Sequence, residues 1–250
     1  MKPLTKILKD KLKKGKLFVP YIMAGAQGLE RLPEEIEMLI EAGASAIELG
    51  VPFSDPVADG PVIQAAGLRA FEQQVTLKKI IRVLKENKFS VPLILMGYSN
   101  SFFHYGIKKL INDLQVTDVK GLIIPDLPYE HQSLILEDLK EVALLPLVSL
   151  TSSSERIQTL VSNAEGFVYA VTVNGITGTD QNYRTDLTNH LTKIKELSAI
   201  PVLAGFGIST KEHVEKFEQV CDGVVIGSKI VHSLDEKGIV ETKELLATII

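Results

Sequence analysis

Residues 46–61 read AIELGVPFSDPVADGP, an apolar strand pattern that runs directly into a proline-rich acidic loop. Glu48 lies inside the strand, and Asp55 and Asp59 lie in the loop. A carboxylate among apolar strand residues is costly unless it has a partner or a chemical role. Three carboxylates so close together therefore indicate a functional site at the end of this strand.

The apolar strand pattern occurs eight times along the chain, and helical patterns separate the runs. The runs are rich in Val, Ile and Leu and mostly lack polar alternation, which is typical of parallel strands covered on both faces. They comprise residues 17–23, 44–51, 91–96, 119–125, 144–150, 166–171, 200–204 and 222–227. Apolar residues at three- and four-residue spacing predict helices over residues 33–42, 62–72, 76–87, 108–114, 129–141, 154–162, 185–197, 211–220 and 240–250.

Eight alternating strands and helices in 250 residues predict a (β/α)8 barrel, in one domain over residues 1–250. A doubly wound open sheet is the alternative fold, but no glycine-rich dinucleotide fingerprint follows the first strand. Leu4, Ile7, Leu8 and Leu12 recur at helical spacing, which predicts an additional N-terminal helix packed on the barrel.

The composition restricts the classes of protein, with 45% hydrophobic residues, 23% charged residues and a net charge of −4. The first 16 residues contain seven lysines and one aspartate, so the remainder is acidic and does not suggest a nucleic-acid surface. No apolar run approaches the roughly 18 residues of a membrane span, and the N-terminus lacks a signal-peptide pattern. With a single cysteine, Cys221, these features predict a cytoplasmic protein.

The barrel prediction places the acidic residues at the end where such barrels form active sites. Side chains alternate along a strand, so Glu48 faces the interior if Ile47 and Leu49 face the helices. Glu48 then lies near the carboxyl end of the second strand, with Asp55 and Asp59 in the loop at the same mouth. A Mg²⁺ site there is a minor alternative, because hard cations usually recruit more oxygen ligands than this region offers.

Glycine-rich turns follow the last three predicted strands, where barrels commonly bind phosphate. They read NGITG at residues 174–178, GFGIS at 205–209 and GSKIV at 227–231. Glycines let backbone N–H groups approach an anion, and a helix that begins at Ser228 adds the positive end of its dipole. The strand ends between the phosphate and the carboxylates supply pocket or core-layer residues: Tyr21, Met96, Tyr98, Ile123, Tyr169 and Phe206.

Other residue types narrow the chemistry. Only Lys229 lies close to the end of a predicted strand, which disfavours Schiff-base chemistry, and the five histidines show no metal-ligand spacing. The residues alone therefore predict acid–base catalysis by carboxylates on a phosphorylated substrate that has a flat or apolar portion.

Five motifs together resemble the tryptophan synthase alpha subunit family, from about Phe18 to the C-terminus and in the family's order. The most specific is ELGVPFSDPVADGP at 48–61, and the others are PYIMAG at 20–25, GITG at 175–178, GFGI at 205–208 and GSKIV at 227–231. The resemblance implies a (β/α)8-barrel lyase that cleaves indole-3-glycerol phosphate to indole and glyceraldehyde 3-phosphate in tryptophan biosynthesis. It implies a retro-aldol reaction without a metal or organic cofactor in this chain.

The resemblance also implies roles for individual residues. Glu48 would be the general acid–base that protonates indole C3, and Asp59 would accept the indole N–H and stabilise positive charge on the ring. Tyr169 is expected beside the substrate. The phosphate would be held by the backbone at Gly178, Gly207 and Ser228, with the neighbouring glycines Gly205 and Gly227.

A partner is implied as well, the tryptophan synthase beta subunit in an alpha2beta2 heterotetramer. Pyridoxal phosphate is expected only in that beta subunit. Loops 52–60 and 172–186 would close the site and face the partner, with Asp55 as a candidate contact. Two positions depart from the family pattern: Thr172-Val173 stands where many members have Ser-Arg, and Ala26-Gln27 stands where many have an aspartate.

Two other functions remain open at the level of sequence. One is another phosphate-binding barrel enzyme, such as a sugar-phosphate isomerase or indole-glycerol-phosphate synthase, which would use lysines or metal ligands at the strand ends. The other is a non-catalytic regulatory barrel, against which the presence of both Glu48 and Asp59 argues.

Overall fold

The computed structural model describes residues 1–171, 181–205 and 207–250, except for the side chains of residues 181–186. Within those residues, nine parallel strand segments form one sheet with the order β5-β4-β3-β2-β1-β9-β8-β7-β6. The segments are β1 (Leu17–Met23), β2 (Ile47–Gly50), β3 (Leu93–Met96), β4 (Val119–Ile123), β5 (Ala143–Leu144), β6 (Leu147–Val148), β7 (Val168–Val171), β8 (Val202–Gly205) and β9 (Gly223–Ile226).

The two edges of this sheet belong to one interrupted strand, so the sheet closes into an eight-stranded barrel. β5 pairs with β4, β6 pairs with β7, and only Leu145 and Pro146 separate β5 from β6. The Leu145 N–H donates to the Leu122 carbonyl on one side, and the Tyr169 N–H donates to the Pro146 carbonyl on the other. Pro146 has no N–H, so one ladder hydrogen bond is missing there. The predicted (β/α)8 barrel is confirmed, but the predicted continuous strand over 144–150 is wrong.

Helices connect the strands. They are α1 (Pro3–Leu12), α2 (Leu32–Glu41), α3 (Pro61–Glu72), α4 (Leu77–Glu86), α5 (Ser99–Tyr105), α6 (Ile107–Leu114), α7 (Ser133–Leu136), α8 (Ser154–Val161), α9 (Gln181–Leu197), α10 (Lys211–Glu218), α11 (Ser228–Lys237) and α12 (Ile239–Ile249). Side-chain oxygens cap α4, α8 and α10, where Thr76, Ser153 and Thr210 accept a backbone N–H of the first turn. None of the helices in the described ranges has the length and apolar character needed to cross a bilayer.

Two helical regions differ from the sequence prediction. The helix predicted over 129–141 is a 3-10 turn at Tyr129–His131 followed by the four-residue α7. Leu134 and Leu136 are exposed, and Lys140 has a φ of +48°, outside the helical region, so no helix extends to residue 141. α5 was not predicted, because Phe102 is its only buried residue and the segment has no apolar repeat.

The additional N-terminal helix is present and packs on the barrel as predicted. Its Leu4 and Leu8 are fully buried. Thr5 is buried too, and its hydroxyl accepts the Gly166 N–H at 2.6 Å and donates to the Glu165 carboxylate. Because Glu165 and Gly166 lie just before the start of β7, α1 covers the amino-terminal end of the strands, and the opposite end is left for a site.

Candidate active site

A cavity of about 350 Å³ lies at the carboxyl end of the strands, within the size range of small-molecule sites. It has an acidic end at Glu48 and Asp59 and a glycine-rich end around Gly207 and Ser228. The complete lining is Tyr21, Glu48, Asp59, Gly60, Val62, Ile63, Met96, Tyr169, Gly207, Ile208, Ser209, Val225, Gly227, Ser228, Lys229 and His232.

Glu48 is a buried acid without a hydrogen-bond partner in the described part of the chain. It lies in β2, in register with Tyr21 of β1 and Ile94 of β3, and it is fully buried. Neither of its carboxyl oxygens has a hydrogen-bond partner among the residues that the structure describes. Burial raises the pKa of Glu48 to about 8, and the negative charge of Asp59 adds to the rise. At neutral pH Glu48 therefore faces the cavity mainly in its protonated form.

Asp59 is fixed at the cavity rim by Tyr98 and by the start of α3. The Tyr98 hydroxyl accepts the Ala58 N–H at 3.0 Å and donates to the Asp59 carboxylate. The Tyr98 ring stacks on Phe53, with ring centroids 4.9 Å apart. Gln64 Nε2, in the first turn of α3, donates to the Asp59 carbonyl at 2.8 Å. These contacts hold the acidic loop against both β3 and α3.

The two carboxyl groups take different charge states near neutral pH. Burial raises the pKa of Asp59 to about 6, and the hydrogen bond from Tyr98 opposes the rise. The pKa of Glu48 is about 8, so between these values Glu48 is protonated and Asp59 is ionised. Such a pair can protonate a weakly basic atom and at the same time stabilise the cation that forms.

Two tyrosines form walls of the cavity because glycines leave room for them. A Cβ atom at Gly50 would lie 2.0 Å from the Tyr21 hydroxyl, and one at Gly205 would lie 2.3 Å from the Tyr169 ring. Burial raises the pKa of both hydroxyls well above the usual range, so both stay neutral beside Glu48. In the described chain, Gly205 thus supports Tyr169 rather than lining the cavity.

The other end of the cavity has the features of an anion site. Gly207 has a φ of +75°, a conformation that favours glycine. Within the described residues, α11 begins at Ser228 without a side-chain cap or an acidic residue in its first turn, so its first N–H groups are available to an anion. Lys229 and His232 line the same wall. This end suits a phosphate monoester.

Eight of the predicted site residues line this one cavity: Tyr21, Glu48, Asp59, Met96, Tyr169, Gly207, Gly227 and Ser228. Tyr98 and Ile123 do not belong to its lining. Tyr98 lies behind the acidic loop, and Ile123 is fully buried at the end of β4. Their predicted contact with substrate has no support in the described geometry and stays a prediction.

Other predicted features either fall outside the described residues or do not line the cavity. Gly178, Phe206 and Thr172-Val173 fall outside the described residues. Asp55 is exposed and does not line the cavity. Its carboxylate accepts a hydrogen bond from the Ser54 hydroxyl at 2.6 Å. Ala26, in the first loop, is buried.

The sequence reasoning did not single out several lining residues. Val62 and Ile63 lie in the first turn of α3, directly after the acidic loop. Their closeness to Asp59 in the sequence indicates that they lie near the same site. His232 lies one helical turn after Ser228, so helical spacing would have placed it on the same face. Gly60, Ile208, Ser209 and Val225 complete this set.

Fold and cavity together define a class, the phosphate-binding (β/α)8 enzymes that use carboxyl groups for acid–base chemistry. In the described ranges no group of three or more His, Cys, Asp or Glu residues could hold a metal ion.

Comparison with known proteins gives the family. The family profile for "Tryptophan synthase alpha chain" matches residues 7–248. The alpha chain of Listeria monocytogenes is 55% identical over 238 residues, which cover 94% of this chain and 93% of that protein. The alpha chain of Streptococcus sanguinis is 54% identical over 241 residues, 94% of this chain and 93% of that one. The solved alpha subunit from Campylobacter jejuni has a TM-score of 0.88 and 30% identity, with 96% and 98% of the two chains covered.

The chain belongs to the tryptophan synthase alpha chain family, the lyase that cleaves indole-3-glycerol phosphate in tryptophan biosynthesis.

Proposed function

We propose that this cavity performs the cleavage with Glu48 as the proton donor, Asp59 as the anion at the indole nitrogen, and the start of α11 as the phosphate holder. The observation that carries the assignment is the unsatisfied, fully buried carboxyl group of Glu48 in a cavity with an open helix N-terminus at its other end. The group has a raised pKa and no partner in the described chain, which indicates that it interacts with a bound ligand.

The first step of the proposed reaction is a proton transfer. Glu48 delivers the proton to C3 of the indole ring, a weakly basic carbon, and the ring becomes an iminium ion. The bond between C3 and the glycerol carbon then breaks, and its electron pair returns to the ring. The glycerol hydroxyl loses its proton as the aldehyde forms, and the Glu48 carboxylate can accept that proton. One proton is given and one is taken, so no cofactor is required in this chain.

Asp59 stabilises the transition state through charge. Protonation at C3 places positive charge on the indole nitrogen, whose N–H becomes a stronger donor. An ionised Asp59 accepts that hydrogen bond, and a charge-assisted hydrogen bond is about twice as strong as a neutral one. The contacts from Tyr98 and Gln64 fix Asp59 in advance, so little reorganisation is needed.

A partner subunit belongs to the proposed reaction. A beta subunit that uses pyridoxal phosphate would receive the indole, in an alpha2beta2 assembly. The acidic loop offers a surface for it, since Val57 is 83% exposed and Asp55 is exposed beside it. Loop residues that cover the cavity would then be the ones that the partner contacts.

Release of indole tests the function directly. The purified chain is expected to release indole and glyceraldehyde 3-phosphate in equal amounts from indole-3-glycerol phosphate, slowly alone and faster with a beta subunit. Addition of a metal chelator is expected to leave the rate unchanged. Absence of indole release under both conditions would exclude the proposed activity.

The phosphate placement predicts the effect of Ser228→Asp. A carboxylate at the first position of α11 would repel the phosphate dianion and occupy the amides that bind it. We expect KM for indole-3-glycerol phosphate to rise about tenfold, which corresponds to about 1.4 kcal/mol of binding free energy. Ser228→Asn is the matched control, because it has a similar shape without the charge. Equal KM values in the two variants would argue against phosphate binding at this corner.

A further inference from the structure

Asp235 joins three segments, two of which, α3 and α11, contribute residues to the cavity lining. It lies two turns after Ser228 in α11, and its Oδ2 accepts a hydrogen bond from the Arg69 guanidinium of α3. Its Oδ1 accepts Gln27 Nε2 of the loop after β1 at 2.5 Å. Gln73, at the end of α3, donates to the Ala26 carbonyl of the same loop at 3.0 Å. One carboxylate therefore ties α11 to α3 and to the first loop.

The tied helices carry opposite ends of the cavity. α3 begins immediately after the acidic loop, and its Gln64 holds the Asp59 carbonyl. α11 begins at Ser228, where the phosphate end lies. The two helices pack against each other, so a change in their relative position changes the spacing between the two ends of the cavity.

The ion pair is sheltered enough to fix that spacing. The Asp235 side chain is 16% exposed and the Arg69 side chain 35%, so solvent screens the pair incompletely. Arg69 Nε is buried and has no hydrogen-bond partner in the described chain. Removal of Asp235 would leave the guanidinium partly buried without its anion, which favours a displacement of α3.

We propose that Asp235 is a positioning residue for the cleavage reaction: with Arg69 and Gln27 it sets the distance between the carboxylate end and the phosphate end of the cavity. The inference rests on the proposed function of those two ends. Asp235 does not line the cavity itself, and it acts through α3 and α11. A ligand that spans both ends depends on the spacing, whereas a ligand that occupies one end does not.

Three ligands distinguish positioning from a general loss of structure. Indole-3-propanol phosphate spans the cavity, indole occupies the carboxylate end, and glycerol 3-phosphate occupies the phosphate end. In Asp235→Asn and Arg69→Met, calorimetric affinity for the spanning ligand is expected to fall about tenfold. Affinities for the two short ligands are expected to stay within about twofold. Misplacement by 1 Å can cost about a hundredfold in rate, so kcat should fall more than either short-ligand affinity.

The controls separate this proposal from its alternatives. Lys243→Met removes the exposed ion pair to Glu41, on helices α12 and α2, and should change none of the three affinities. Arg69→Lys keeps the charge and should recover part of the spanning affinity if Arg69→Met is poorly folded. The proposal is wrong if all three affinities fall together or if none changes. Wild-type indole release tests the proposed function separately, so a negative result for Asp235 leaves that function standing.

Discussion

Glu48→Gln is expected to lower kcat for indole release by about 10³-fold, within the range that a positioned general acid usually contributes. Glutamine has nearly the shape of a protonated glutamate but has no proton to give to C3. Burial and the charge of Asp59 raise the pKa of Glu48 to about 8, so the wild-type side chain is mainly uncharged at neutral pH and the substitution changes little charge there. Affinity for indole-3-propanol phosphate should therefore change less than twofold.

Glu35→Gln is the matched control for this substitution. Glu35 is also buried, one of its oxygens has no partner in the described chain, and burial raises its pKa to about 7. It lies in α2 and does not line the active cavity. We expect Glu35→Gln to keep the wild-type kcat, which would show that the effect at Glu48 comes from its place in the cavity. Substantial indole release by Glu48→Gln would rule out Glu48 as the proton donor.

Both the fold and the acidic end of the cavity could be predicted from local patterns. The alternation of residues in one strand places Glu48 inside the barrel, and an acid among apolar neighbours is visible in the sequence itself. The glycine turn before Ser228 likewise signals an anion site, because glycine and a helix start act over a few residues.

Features that depend on distant contacts could not be predicted in this way. Arg69 and Asp235 are 166 residues apart in the sequence, and Gln27 and Asp235 are 208 apart, so no local pattern links them. The hydrogen bond from the Ala58 N–H to the Tyr98 hydroxyl joins residues 40 positions apart, so no local pattern indicates it either. The interruption of the fifth strand at Pro146 differs from these contacts, because proline cannot donate a ladder hydrogen bond and so marks the break locally.

Asp59→Asn is expected to lower kcat by about 10²-fold, because asparagine keeps an oxygen acceptor for the indole N–H but loses the negative charge. The pH dependence gives a sharper test than the rate. The proposed mechanism needs Asp59 ionised and Glu48 protonated, and their pKa values are about 6 and 8. The rate should be highest between these values and fall about tenfold per pH unit outside them.

Loss of the Asp59 charge should alter both limbs of this profile. The acidic limb disappears, because no carboxyl group at position 59 remains to be protonated. The alkaline limb moves to lower pH, because the negative charge of Asp59 contributes to the raised pKa of Glu48. Asp55→Asn, measured on the chain alone, is the matched control in the same loop and should keep the wild-type profile, since the Asp55 side chain is exposed and hydrogen-bonded to Ser54. An unchanged pH profile in Asp59→Asn would contradict the proposed roles. It would mean that the acidic limb does not report Asp59 and that the charge of Asp59 does not affect Glu48.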